Sequence, residues 1–220
     1  MKSEHRKFEG KNSTAIVFLH GYGANMDDLA GLQNYLDPKQ SCHWYFPNGP
    51  VKIPFAGMWE GRAWFPIDMQ ELEAAMQEGR HRRFSDKSPV EFLRSLSIME
   101  EEIKELQKKF KKVIVGGFSQ GAMMASHLAS RLPVDALVIL SGTLLDQANL
   151  EQNYHSRSVP FFQSHGDQDQ LLGLSEAKEL NSVLEKKGFK GLWAPFRGGH
   201  EIPENTLRAL ESFLRPHISP

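Results

Sequence analysis

Residues 117–121 read Gly-Phe-Ser-Gln-Gly, the spacing G-x-S-x-G. A serine hydroxyl is a weak nucleophile until a base takes its proton. Glycines two residues to either side let a sharp strand-to-helix turn lift the hydroxyl clear of the backbone. A serine so placed does acyl transfer: it attacks a carbonyl carbon, and backbone N–H groups at the turn bind the oxyanion. Ser119 is the candidate nucleophile, and the N–H of Gln120, at the start of a helix, is a candidate oxyanion donor. Five-residue patterns arise by chance, but the context here is specific. The apolar run Val113 to Phe118 leads directly into the pattern, and a helical pattern from about Gln120 to Leu132 leads directly out of it.

Such a serine needs a base, usually histidine, and a carboxylate to orient it. On a strand–turn–helix nucleophile the chain order is serine, acid, histidine. The apolar run Pro160 to Ser164 is followed by His165-Gly166-Asp167-Gln168-Asp169, where two aspartates compete and spacing does not choose between them. Gly191 to Phe196, the last strand candidate, is followed by Arg197-Gly198-Gly199-His200. Of nine histidines, His200 alone lies in a glycine-rich loop after that last strand. His165, its main rival, is attached to the acid loop and so is badly placed to bridge acid and serine; His127 lies within a helical pattern. Upstream, His20-Gly21-Tyr22-Gly23 follows the first clear strand. A His-Gly loop there supplies a second oxyanion donor, here the N–H of Tyr22, with His20 shaping the loop.

The elements that must position these residues follow from periodicity. Apolar runs of strand length (15–20, 42–46, 113–118, 136–140, 160–164, 191–196) alternate with helical patterns over 27–36, about 90–110, 120–132, 174–187 and 203–214. Continuous apolar strands alternating with helices imply an α/β protein, a mostly parallel central sheet with helices on both faces. Ser88-Pro89-Val90-Glu91 predicts a capped helix start, with Val90, Leu93, Leu96, Met99 and Ile103 on one face. One domain over 1–220 is the economical reading, with 47–88 a long excursion from the sheet. That excursion holds Phe55, Met58, Trp59, Trp64 and Phe65, which with Leu171 and Tyr22 are candidates to line an apolar substrate pocket or else to pack a satellite core. The charged stretch from Gln70 to Arg83 is a candidate lid, with His81 among arginines expected on a solvated surface.

Taken in order, FLHGYG (18–23), FPNGPV (46–51), AWF (63–65), GGFSQGAM (116–123), HGDQDQLL (165–172) and GGHEI (198–202) resemble the phospholipase/carboxylesterase family. This group includes acyl-protein thioesterases and small bacterial carboxylesterases. The resemblance spans most of the chain. It implies a cofactor-free α/β-hydrolase fold acting on carboxylic esters or thioesters. It also implies that Asp169, the second aspartate of the HGxxD element, is the triad acid, that Asp167 holds the loop, and that the oxyanion donors lie at Tyr22 and Gln120. Three departures bear on substrate choice. Tyr22-Gly23-Ala24 stands where the family often has Leu-Gly-Asp, Asp169-Gln170-Leu171-Leu172 stands where it has Asp-Pro-Leu-Val, and the stretch from Gln70 to Arg83 matches no recognised motif of the family.

The resemblance implies an ester or thioester substrate and leaves open a small molecule, a lipid or an acylated protein. A formal net charge of −1 argues against a nucleic-acid partner. No His-Glu-x-x-His or cysteine cluster suggests a metal, and no apolar stretch reaches the length of a membrane span. The N-terminal MKSEHRKFEG lacks the apolar core of a secretory signal, and Cys42 is the lone cysteine, expected as a packed core thiol. A cytoplasmic location is expected. The sequence leaves the oligomeric state open, a homodimer included.

Overall fold

The structure, a computed structural model, describes residues 3–54, 60–84, 86, 88–153 and 158–218. In chain order the elements are β1 (His5–Phe8), β2 (Thr14–Leu19), α1 (Leu32–Leu36), β3 (His43–Pro47), β4 (Val51–Ile53), β5 (Gly61–Ala63), α2 (Met69–Gln77), α3 (Val90–Gln107), β6 (Lys112–Phe118), α4 (Gln120–Arg131), β7 (Ala136–Leu140), α5 (Gln147–Gln152), β8 (Pro160–Ser164), α6 (Leu174–Lys186), β9 (Lys190–Trp193) and α7 (Glu204–Ile218).

Seven strands form one sheet in the order β1-β3-β2-β6-β7-β8-β9, parallel throughout except for β1, which runs antiparallel to β3. β4 and β5 pair as a separate two-stranded ribbon. The central strands β2 and β7 are buried at every position, which requires cover on both faces and explains their unbroken apolar sequence. Alternate residues face opposite layers. Val17, Val115 and Ile139 pack with Phe92, Leu96, Leu128 and Leu180 beneath α3, α4 and α6. Ile16, Ile114 and Val138 pack with Leu36, Leu210 and Leu214 beneath α1 and α7.

The strand order reverses direction between β2 and β6. From β2 the chain moves outward through β3, and from β6 it moves outward the other way. Ligands of open α/β sheets bind at the carboxyl ends of the strands flanking such a reversal. Here those ends carry His20-Gly21-Tyr22 and Ser119.

Three expectations are corrected. The helix over 27–36 is helical only from Leu32, because Asn25 spends its side chain on the N–H of Asp27 and turns occupy the rest. The capping box at Ser88 does not form; its hydroxyl binds Asp146 Oδ2 at 2.6 Å instead. The first turn of α3 is also rotated from its expected face. Val90 (79% exposed) and Leu93 (44%) face outward, while Phe92 is buried edge-on against Phe65 and His127. Cys42 is buried as expected, its thiol pushed up to about 11 by burial. No described helix is long and apolar enough to cross a membrane.

Two buried histidines set an acid limit on stability. His127 donates from Nε2 to the carbonyl of Leu145 at 2.8 Å, and burial lowers its pKa to about 4. His20 is likewise lowered to about 4, by burial first. Each has an ordinary pKa near 6.5 once unfolded, so the unfolded chain takes up the proton first as pH falls. The contribution of each to stability is therefore full above about pH 6.5 and is lost progressively towards pH 4, on the order of 3 kcal/mol per histidine. His127→Gln, which keeps an N–H for Leu145, will shallow the melting-temperature slope between pH 6.5 and 4 by about one proton's worth. An unchanged slope would assign the acid limit to other groups.

Candidate active site

Ser119 joins β6 to α4 with φ 55 and ψ −120. A non-glycine residue in that region is strained and persists only where its surroundings enforce it. Here they do. The N–H of Ser119 is held by the carbonyl of Leu140 at 2.8 Å, and its carbonyl accepts from Ala122 at 3.0 Å. The two flanking glycines are needed for contact. A Cβ on Gly117 would strike the backbone of Gly121, and one on Gly121 would strike the carbonyls of Leu19 and His20. The turn is thus wedged between its own helix and the end of β2.

The loop after β2 lies against this turn. A Cβ on Gly21 would sit 3.5 Å from that of Ser119. Gly23 N–H bonds the carbonyl of Arg62 at 2.8 Å, and Ala24 carbonyl accepts from Arg62 at 2.8 Å, so the β4–β5 ribbon braces the loop. His20 donates from Nδ1 to the carbonyl of Gly21 (2.7 Å) and accepts at Nε2 from the N–H of Gly49 (2.9 Å). Both ring nitrogens are spent, and burial keeps the ring neutral. Tyr22 is half-buried, which raises its phenol pKa.

His200 and Asp169 meet where the last two loops converge. His200 Nδ1 donates to Asp169 Oδ2 at 2.6 Å. Asp169 Oδ1 accepts from the N–H groups of Leu171 and Leu172, both at 2.9 Å. Burial alone would raise the Asp169 pKa, but the bond and charge of His200, the Leu172 N–H and nearby His165 outweigh it and hold the carboxyl below its ordinary value. The ring of His200 lies 4.8 Å from that of Phe118, the residue before the nucleophile candidate. Asp167 stands elsewhere, accepting from the N–H of Gly198 at 3.2 Å. It ties the acid loop to the histidine loop. His165 is fully buried and donates from Nε2 to the carbonyl of Leu172 at 2.9 Å, with Asp169 Oδ2 3.4 Å away.

The pocket candidates divide. Phe55, Met58 and Trp59 lie outside the described residues. Trp64 (1% exposed) and Phe65 (0%) belong to the core beneath the site. Trp64 Nε1 donates to the carbonyl of His20 at 2.9 Å. Leu171 is partly buried against the same core. A cleft of about 870 Å³ opens between α3 and the β1–β3 edge and contains none of Ser119, Asp169 or His200.

Three contributions were not legible beforehand. The Gln120 side chain bonds the Trp64 N–H (2.8 Å) and the Phe65 carbonyl (2.7 Å), pinning the excursion to the turn. Ser141 has a positive φ of 48 at the end of β7, and its hydroxyl reaches the carbonyl of Glu201, next to His200, at 3.3 Å. His81, expected in solvent, instead donates from Nε2 to the carbonyl of Asp169 at 2.9 Å. Only Ser141 had a signal in the sequence, the Ser-Gly pair that ends an apolar strand. His81 and Gln120 act across 88 and 56 residues of chain, beyond the reach of local pattern.

The family model described as Phospholipase/Carboxylesterase matches residues 6–218. Acyl-protein thioesterase 1 of Debaryomyces hansenii is 30% identical to this chain, the match covering 91% of this chain and 90% of the relative. Acyl-protein thioesterase 1 of Saccharomyces cerevisiae is also 30% identical, covering 93% and 92%. Among solved structures, esterase PE8 superposes with a TM-score of 0.79 at 23% identity, covering 98% of this chain and 99% of that one. This last likeness bears on the fold, which is that of the α/β-hydrolases.

Proposed function

Since the chain belongs to the phospholipase/carboxylesterase family of carboxylic ester hydrolases, we propose that it cleaves esters and thioesters through an acyl-enzyme on Ser119, with His200 as general base and Asp169 as its orienting acid. His200 Nε2 takes the Ser119 proton as the oxygen attacks the acyl carbon. The oxyanion is bound by the N–H groups of Tyr22 and Gln120. Gln120 opens a helix, so its N–H has no intrahelical partner and lies at the positive end of the dipole. The tetrahedral adduct collapses as His200 returns its proton to the departing alcohol or thiol. Water then repeats the sequence on the acyl-enzyme, releasing the carboxylic acid and freeing Ser119. Asp169 stays ionised throughout and stabilises the imidazolium.

The observation that carries this reading is the backbone of Ser119, a non-glycine residue at φ 55 directly between a buried strand and a helix. Strain of this kind is retained where a nucleophile must be presented. The relatives named acyl-protein thioesterase favour an acyl group on a protein thiol as the substrate, and this machinery serves an oxygen ester equally.

The test pairs turnover with labelling. p-Nitrophenyl esters and matched thioesters of increasing acyl length will be hydrolysed, and a fluorophosphonate will add one adduct, mapped by peptide mass to Ser119. An adduct on another residue would overturn the assignment of the nucleophile. Neither turnover nor adduct would overturn the acyl-enzyme altogether.

A further inference from the structure

The charged stretch after α2 runs along the back of the acid loop. After α2 the chain passes through His81, Arg82, Arg83 and Phe84. Each of the four is held. Arg82 pairs with Glu71 at 2.9 Å and lies over the Phe84 ring, and Arg83 pairs with Glu179 of α6 at 2.8 Å and Glu176 at 3.7 Å. The Phe84 carbonyl accepts from the N–H of Asp146 at 2.9 Å. The segment is a strap fixed to α2 at one end and to α6 and the start of α5 at the other.

The strap presses His81 onto the acid loop. Its Nε2 donates to the Asp169 carbonyl at 2.9 Å. On its other side, a Cβ on Gly173 would stand 3.0 Å from His81 Nδ1 and would collide with Glu176 Oε2. The absence of a side chain at position 173 is what admits the imidazole and the carboxylate together. Residues 169–172 are therefore gripped at both ends by histidines. His165 holds the Leu172 carbonyl from within, and His81 holds the Asp169 carbonyl from without.

That grip matters because the backbone on the other side of the Asp169 Cα is held only weakly. The Asp169 N–H reaches the Gly166 carbonyl at 3.4 Å. The Asp169 side chain is fixed to Leu171 and Leu172, so a rotation of the Asp169 peptide would carry Oδ2 away from His200. We propose that His81 is a positioning residue for Asp169: its Nε2–H locks the Asp169 peptide and thereby the carboxylate that orients His200. This rests on the reading of Asp169 as the triad acid. Misplacing a reacting group by about 1 Å costs on the order of a hundredfold, and losing one of several restraints should cost less.

The experiment compares His81→Ala, His81→Gln and Asp169→Asn with the wild type on one p-nitrophenyl ester, with melting temperatures alongside. His81→Ala should lower kcat about tenfold to fiftyfold with KM within about twofold. His81→Gln, which keeps an N–H donor, should recover most of kcat. The downfield proton resonance of the His200–Asp169 bond should weaken or shift in the alanine variant and return in the glutamine variant. Unchanged kcat in His81→Ala would overturn the proposal. So would a rise in KM alone, which would make His81 a substrate contact, or equal losses in both variants that track a fall in melting temperature. Full activity in Asp169→Asn would instead remove the triad reading, and the proposal with it.

Discussion

Ser119→Ala will hydrolyse p-nitrophenyl butyrate about a million-fold more slowly than the wild type, the scale seen when a triad nucleophile is removed. The missing atom is the one that becomes covalently bound to the acyl group, so no neighbour can substitute for it. The residual rate, above that in water, will come from substrate binding and the N–H groups of Tyr22 and Gln120. Stability should barely move, because alanine suffers the same strain at φ 55 as serine. Ser119→Gly separates the two effects. It will be equally inactive, yet it should gain about 1 kcal/mol, since glycine adopts a positive φ without cost. A variant pair that is inactive but melts at or above the wild-type temperature would show that the strain at 119 serves catalysis. Retained turnover in Ser119→Ala would place the nucleophile elsewhere, and a melting temperature lowered in both would make Ser119 a structural residue.

The sequence makes the sheet legible because burial on both faces leaves its mark strand by strand. Val113 to Phe118 and Ala136 to Leu140 are apolar at nearly every position, and both are strands. β1 is not legible. His-Arg-Lys-Phe sits at the sheet edge with two of four residues exposed, so no apolar run announces it. The same logic divides the candidate site. Ser119 and His200 stand in glycine-rich turns after strands, where local pattern is informative, and their loops do converge. Trp64 and Phe65 are ambiguous, since an aromatic that lines a pocket and one that fills a core look alike in sequence. Burial decides for the core. His81 was misread for a related reason. Arginines on both sides suggest solvent, yet each of those arginines is paired, Arg80 with Glu78 and Arg82 with Glu71.

Asp169→Asn will lower kcat about ten-thousandfold, and the cause lies in the hydrogen bonds around the carboxylate. Oδ1 is committed to two donors, the N–H groups of Leu171 and Leu172. An asparagine can satisfy them only with its carbonyl oxygen in that position. Its NH₂ group must then stand where Oδ2 stood, 2.6 Å from His200 Nδ1. Two donors cannot face each other, so His200 gives up its Nδ1 proton and becomes an acceptor there. The neutral ring then carries its proton on Nε2, the nitrogen that must receive the proton of Ser119. The base is present, correctly placed and in the wrong tautomer. KM should change little, since no group that touches the acyl chain has been altered. The substitution also tests linkage. The depressed Asp169 pKa contributes stability that is present above the ordinary carboxylate range near pH 4 and is lost as pH falls through the lower folded value. Asp169→Asn should therefore show a shallower loss of melting temperature below about pH 4. A kcat within tenfold of the wild type would mean that His200 keeps its working tautomer without Asp169. The competing aspartate at 167, already bound to the Gly198 N–H, would then have to be reconsidered.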